Sequence, residues 1–253
     1  MENTSYLKIY KLDEEPLLSK VNYSEIKRYA GMMGKSDSEI ETDSMHSLMN
    51  DCINEVMPLL TYRVSYLVVD RTDLPFDTLG SKNLSQNLKG CDRTILFAAT
   101  IGPAIDRLIN RYSRISPAKA LFLQAIGAER IEALCDLFCD EIRHGRIENL
   151  DGEHIYGTHP RYSPGYGDLP LEVQKEFFGL LDCNRKLGLT LNESLLMSPS
   201  KSVTAIVGVE TNMIGIDHDS IVKDWIQCEE SLTGSMHNCR ACSLENCAYR
   251  EDM

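Results

Sequence analysis

HPRYSPGYGDLP, residues 159–170, crowds an arginine, two tyrosines, three prolines and two glycines between two helical stretches. Gly165 and Gly167 open backbone angles closed to other residues, while Pro160 and Pro164 fix theirs. The result is a stiff loop that presents Arg161, Tyr162 and Tyr166. Arginine brings a planar fork of donors suited to a carboxylate or phosphate; tyrosine brings a flat face with a polar tip. A plain connector whose aromatics pack down is the competing reading of the same residues.

Outward from this loop the pattern mixes strands and helices. Upstream, Ser116-Pro117 opens the longest helix, which runs to about His144. Ile131, Leu134, Cys135, Phe138 and Ile142 form its apolar stripe, and Glu129, Glu132, Asp136 and Asp140 lie off it, as on a solvated face. Tyr62 to Val69 (YRVSYLVV) and Thr94 to Thr100 (TILFAAT) read as strands, the second well buried. Gly102-Pro103 then leads into a helix from Ala104, without the glycine pattern of a nucleotide-binding loop.

Nearer the start, Ser24 predicts the cap of a short helix to Met32. Apolar residues at three- and four-residue spacing predict a longer helix from about Asp43 to Leu60. Residues 85–88 add a helical turn in a polar segment. Downstream of the loop, Asp168 predicts the cap of a helix to about Arg185, stopped by Gly188. A short strand at Leu189–Leu191, a turn at Met197–Ser200, a strong strand from Val203 to Val209 and a helix from Asp219 to Trp225 follow. Without regular βαβ alternation, the order predicts an α+β fold with a mostly antiparallel sheet.

Composition narrows the function. The 253 residues carry a formal net charge of −12, which disfavours nucleic acid and anionic membrane surfaces as partners. No stretch has the roughly 20 apolar residues of a membrane-spanning helix. The first residues lack the basic start and apolar block of a signal peptide. Nine cysteines, an odd number, point to a reducing, cytoplasmic setting with free thiols. Cys52, Cys91, Cys135, Cys139 and Cys183 sit among apolar residues and read as small core residues.

RYSPGYGDLP, then a helix, then LGLTLNESLLMSPSKSV and a strand, resembles the activation domain of vitamin B12-dependent methionine synthase. Arg161, Pro164, Gly165 and Tyr166 fill that family's Arg-x-x-Pro-Gly-Tyr block. Gly188, Leu191, Glu193, Ser194, Met197, Pro199, Ser202 and Val203 fill a second block. The resemblance extends over about residues 20–215. It implies a curved single domain with a twisted, mostly antiparallel sheet flanked by helices. With no corrinoid-binding DxHxxG motif in the sequence, it also implies a stand-alone version of the domain.

The function implied is reductive reactivation of a cobalamin-dependent methyltransferase, methionine synthase first among them. S-adenosylmethionine is the methyl donor, and flavodoxin or a similar protein supplies the electron. The protein is then an accessory or subunit of a methyltransferase, and its partner carries the cobalamin. By the same resemblance Arg161 contacts the methionine carboxylate, Ser163 sits where the family uses backbone groups against the same ligand, and Gly165 is a further cofactor-binding residue. Tyr166 faces the corrin and stands as the catalytic candidate. Glu132 aligns with a helix glutamate near the site. The sequence departs from the family at Gly167-Asp168-Leu169-Pro170, where Pro-Ala-Cys-Pro is usual, and at Ile206-Val207, where aromatic residues are usual. Two alternatives follow from the departures: a docking module for a corrinoid protein that does not use S-adenosylmethionine, and an activator of a different corrinoid methyltransferase.

Cys228, Cys239, Cys242 and Cys247 fall outside the family pattern. Their spacing suits zinc or an iron–sulfur cluster, with a redox thiol pair or a plain reduced tail as alternatives. The chain thus divides into an N-terminal arm or edge element (1–20), an activation-domain-like core (21–226) and a cysteine-rich tail (227–253).

Overall fold

The structure is a computed structural model that describes residues 5–32, 43–74, 80–150 and 152–211. Its centre is a five-stranded sheet in the order β1-β2-β3-β7-β4, every pair antiparallel. The strands are β1 (Tyr6–Tyr10), β2 (Tyr62–Asp70), β3 (Arg93–Thr100), β4 (Gly157–Thr158) and β7 (Ser202–Glu210). A separate two-stranded ribbon joins β5 (Thr190–Leu191) to β6 (Met197–Ser198). Helices are α1 (Pro16–Ser19), α2 (Tyr23–Tyr29), α3 (Asp43–Val56), α4 (Lys82–Asn87), α5 (Ala104–Ile115), α6 (Pro117–Arg143), α7 (Gln174–Leu180) and α8 (Cys183–Leu187). This is the α+β, antiparallel architecture that the pattern predicts.

The sheet is covered on both faces. Ile95, Phe97 and Ala99 of β3 point into one core with Val64, Tyr66, Ala205 and Val207, closed by α3, α5 and α6. Leu96 and Ala98 point into a second core with Leu67, Val69 and Ile206, closed by α4, α7 and α8. Antiparallel strands usually alternate apolar and polar residues; covering both faces explains why TILFAAT and VTAIVGV read as continuous apolar runs. Phe138 of α6 sits with ring centroids 5.2 Å from Tyr66 and 5.1 Å from Phe97, fixing the long helix to the first face.

Several local expectations change. Asn22, not Ser24, caps α2, its side chain accepting from the amides of Ser24 and Glu25. Ser116 stands at the N-cap of α6 without a capping side-chain bond, and Pro117 at the first position sets the helix start instead. The helix expected from Asp168 to Arg185 is three pieces: a 3-10 turn at Leu171–Val173, then α7 and α8, divided by Asp182 at φ +51°. Met197–Ser198, expected as a turn, is the strand β6.

Glu129 is not on a solvated face. It is 4% exposed and lies against Arg130, itself 1% exposed. Arg130 Nη1 donates to the Leu18 carbonyl at 2.6 Å and Nη2 to that of Lys20 at 3.0 Å; Glu129 accepts from the Asn22 amide at 3.0 Å. The buried charges are therefore paired and also satisfy the backbone leaving α1, which ties residues 18–22 to α6. The helix expected at Asp219–Trp225 lies outside the described residues.

Candidate functional site

The loop 159–170 begins as a strand partner and ends as a helix cap. His159 donates its amide to Gly208 at 2.9 Å, and Tyr162 exchanges backbone bonds with Ile206 at 2.9 and 2.8 Å, so the first residues run along β7. The chain then leaves the sheet in two overlapping turns. Tyr166 donates to the Ser163 carbonyl at 3.0 Å and Leu169 to that of Tyr166 at 3.0 Å, while Gly165 donates to Leu169 at 2.9 Å. Gly165 at φ +86° and Gly167 at φ +53° supply the left-handed angles these turns need. Buried Leu169 pins the far end in the second core.

The short helix α4 splints the loop from below. Asp168 accepts from the Ser81 hydroxyl at 2.5 Å and from the amides of Lys82 at 2.8 Å and Asn83 at 3.2 Å. It therefore caps α4, some 86 residues away, rather than the helix that follows it. These bonds hold its carboxyl below the ordinary value, the Ser81 contribution being the largest. At the other end of α4, Asn87 Nδ2 donates to the Pro160 carbonyl at 3.3 Å, and the Asn87 carbonyl accepts from His159 Nδ1.

Arg161 turns from the loop toward α6. Its Nη2 donates to Glu132 Oε2 at 2.9 Å and lies 3.0 Å from Asp136 Oδ1, one turn further along the same helix face. The Arg161 side chain is 15% exposed, and its Nη1 is buried with no hydrogen-bond partner among the described residues. Burial opposes its charge, but the surrounding groups, Cys135, Cys139, Glu132 and Asp136, raise its pKa further from the ordinary value. Burial pushes the Cys135 thiol well up and that of Cys139 to about 11, so at neutral pH both are uncharged. They act on the cation only once they ionise, and Glu132 and Asp136 are its charge partners until then. Tyr29 of α2 borders the same group: burial and then the Glu132 charge raise its hydroxyl pKa.

Of the residues predicted from sequence, Arg161 and Glu132 meet directly. Ser163 and Gly165 contribute backbone to the turns. Tyr166 projects outward, 70% exposed, its ring edge-on to Tyr162 at 6.3 Å. Tyr162 in turn donates its hydroxyl to the Tyr166 carbonyl at 3.2 Å. Asp136 and Ser81 were missed. Asp136 lies four residues beyond Glu132 and so shares its face, a spacing that helical periodicity would have revealed once Glu132 was singled out. Ser81 is the N-cap of α4, its hydroxyl accepting from the Leu84 amide at 3.1 Å, and a serine just ahead of a helical turn is the local signal that would have found it.

Cys52, Cys91, Cys135, Cys139 and Cys183 are free and buried, as small core residues. Cys228, Cys239, Cys242 and Cys247 lie outside the described residues. A polar cavity of about 320 Å³ between α5 and β6 is lined by Asp106, Gln124, Met197 and Ser198, and by no residue of the loop. Its one carboxylate, Asp106, is already engaged by the amide and hydroxyl of Ser200 at 2.7 and 2.5 Å. Among the described residues no helix is long and apolar enough to cross a membrane.

Comparison with solved structures places this fold beside the MetH reactivation domain bound to AdoHcy. The TM-score is 0.59 over 90% of this chain and 86% of that one, at 15% identity. No curated protein matches the sequence. The family model for the activation domain of vitamin B12 dependent methionine synthase matches residues 84–227. That span takes in α4 from Leu84 on, the long helix with Glu132 and Asp136, and the whole loop with Arg161. By a match over more than half its length, the chain belongs to the vitamin B12 dependent methionine synthase activation-domain family.

Proposed function

We propose that this chain binds S-adenosylmethionine at Arg161 and serves the reductive reactivation of a cobalamin-dependent methyltransferase, methionine synthase or a related corrinoid protein. S-adenosylmethionine gives its methyl group to the partner's cobalamin, which a flavodoxin-like donor has first reduced by one electron. The chain's own work is binding and alignment, since holding the methyl group in line with its acceptor is a proximity effect.

The observation that carries the reading is Arg161 Nη1, a buried donor without a partner among the described residues. A buried cationic donor left unpaired is costly, and a ligand carboxylate relieves it, contributing about 1.5–3 kcal/mol. Nη2 stays on Glu132 and Asp136, which fixes the guanidinium plane. Two carboxylates around one guanidinium leave a unit of negative charge, which suits a sulfonium cation. The MetH reactivation domain of similar fold, solved with AdoHcy, supports a ligand of this class here. Tyr166 is mostly exposed with its ring edge-on to Tyr162, which supports a role for it against the corrin face of the partner.

The docking-module reading draws on the same pair: Glu132 and Asp136 already satisfy half of the arginine fork. Methyl transfer separates the two. S-adenosylmethionine labelled in its methyl group is mixed with this protein, an electron donor and a methionine synthase lacking its own activation domain. Labelled methylcobalamin that depends on this protein and is lost in Arg161→Ala is the expected result. Tight association with the synthase without label transfer would move the assignment to docking.

A further inference from the structure

At the start of the loop, two residues before Arg161, three side chains of metal-binding type converge: Cys91, His159 and Glu210, their ligand atoms all within 4.8 Å of one another. We propose that they form a binding site for a divalent ion of the zinc class, which clamps the start of the loop to the end of the sheet.

Hydrogen bonding around His159 gives the first argument. Nδ1 contacts the Asn87 carbonyl, which only accepts, so Nδ1 carries a proton. In the neutral ring the lone pair is then on Nε2, and Nε2 lies 2.9 Å from Glu210 Oε1. Two acceptors in contact call for a cation between them, a proton or a metal ion. A backbone carbonyl holding the distal ring nitrogen is the usual support of a metal-bound histidine.

Cys91 favours the metal. A proton shared between His159 and Glu210 needs no thiol beside it, whereas a thiolate, a carboxylate and a neutral imidazole together balance two positive charges and offer a donor set that suits zinc. The surroundings leave room for these groups. A Cβ at Gly208 would lie 2.4 Å from the Cys91 sulfur, and Cβ atoms at Gly157 and Gly90 would lie 3.2 and 3.4 Å from the Glu210 carboxylate. Three elements meet with glycine at each closest approach. An ion about 2.0–2.3 Å from each ligand needs them roughly 3.3–3.7 Å apart, within reach of small side-chain rotations. Coordination forms a metal–sulfur bond and releases the Cys91 proton to solvent, with no change of oxidation state. His159 and Glu210 are 24% and 17% exposed, so a fourth position can take water.

Mechanically the clamp joins three segments: the approach to β3, the end of β7 and the residue two before Arg161. It would restrain the loop whether or not that loop binds S-adenosylmethionine.

The test uses the full chain with Cys228, Cys239, Cys242 and Cys247 changed to Ser, so that no thiol outside the site and the buried core competes. After chelator treatment, Co(II) is titrated and followed by absorbance. One equivalent should bind, with a thiolate-to-cobalt band in the near ultraviolet and the intense visible bands of a tetrahedral site, displaced by Zn(II). Cys91→Ala should remove the thiolate band. Glu210→Gln, at a partly exposed position, should weaken binding with an unchanged circular dichroism spectrum, and Zn(II) should raise the melting temperature of the parent but not of this variant. Absence of saturable Co(II) binding, or a thiolate band that survives Cys91→Ala, would overturn the proposal and leave His159 and Glu210 bridged by a proton.

Discussion

Arg161 Nη2 lies 2.9 Å from Glu132 Oε2, joining the loop to the long helix across 29 residues of sequence. With Asp136 on the same guanidinium at 3.0 Å, the pairing has a spare acid. Glu132→Gln should therefore shift stability by no more than about 1 kcal/mol in urea unfolding, as for a part-exposed pair. Arg161→Lys keeps the charge but loses the planar fork, and S-adenosylmethionine affinity should fall by about tenfold or more. Equal affinity in Arg161→Lys and wild type would place the ligand elsewhere.

Gly167 sets the shape of the loop. At φ +53°, its added Cβ would come within 2.5 Å of Tyr162 Oη and 2.6 Å of Asn83 Nδ2. Gly167→Ala combines backbone strain with a clash against both the loop and α4, and should destabilise the protein by roughly 1–3 kcal/mol. Gly179→Ala, where a Cβ meets nothing within 4 Å, is the matched control and should be close to neutral in the same unfolding assay.

Asp168 is the tether between loop and α4. Asp168→Asn keeps the size of the side chain but replaces charge-assisted bonds with weaker ones. Amide hydrogen exchange should speed at Lys82, Asn83 and Leu84 while β3 stays protected. Unchanged exchange at those three amides would mean that Ser81 alone holds the helix start.

Burial raises the thiol pKa of Cys52 to about 11, Cys139 to about 11 and Cys183 to about 12, against an ordinary 9. Each folded pKa lies above its unfolded value, so the native state keeps protons that the unfolded chain releases. This contribution is fully present below about pH 9 and is lost as pH rises through the folded values. Urea midpoints measured under reducing conditions should hold steady to about pH 8.5 and then fall, each thiol costing roughly 1 kcal/mol per pH unit. Cys183→Ala should make that fall shallower.

Much of the fold was legible because its signals are local. β2, β3 and β7 show as β-branched and aromatic runs, and α3 shows in the spacing of Met49, Cys52, Ile53 and Val56, all buried. Arg161, Gly165 and Tyr166 stood out through loop chemistry and family pattern. What was not legible depends on partners distant in sequence. Asp168 looks like a cap for the helix after it, and only the fold brings Ser81 to it. Glu129 appears off the apolar stripe, yet Arg130 and the carbonyls of Leu18 and Lys20 make its burial possible. The convergence of Cys91 with His159 and Glu210 likewise exists only once β7 lies between β3 and β4.

The central claim is a ligand site at Arg161, and equilibrium dialysis of labelled S-adenosylmethionine tests it most directly. Wild-type protein should bind one equivalent saturably, S-adenosylhomocysteine should compete, and Arg161→Ala should lose binding while keeping its circular dichroism spectrum. Saturable binding unaffected by Arg161→Ala, or none by the wild type even with its corrinoid partner present, would contradict it.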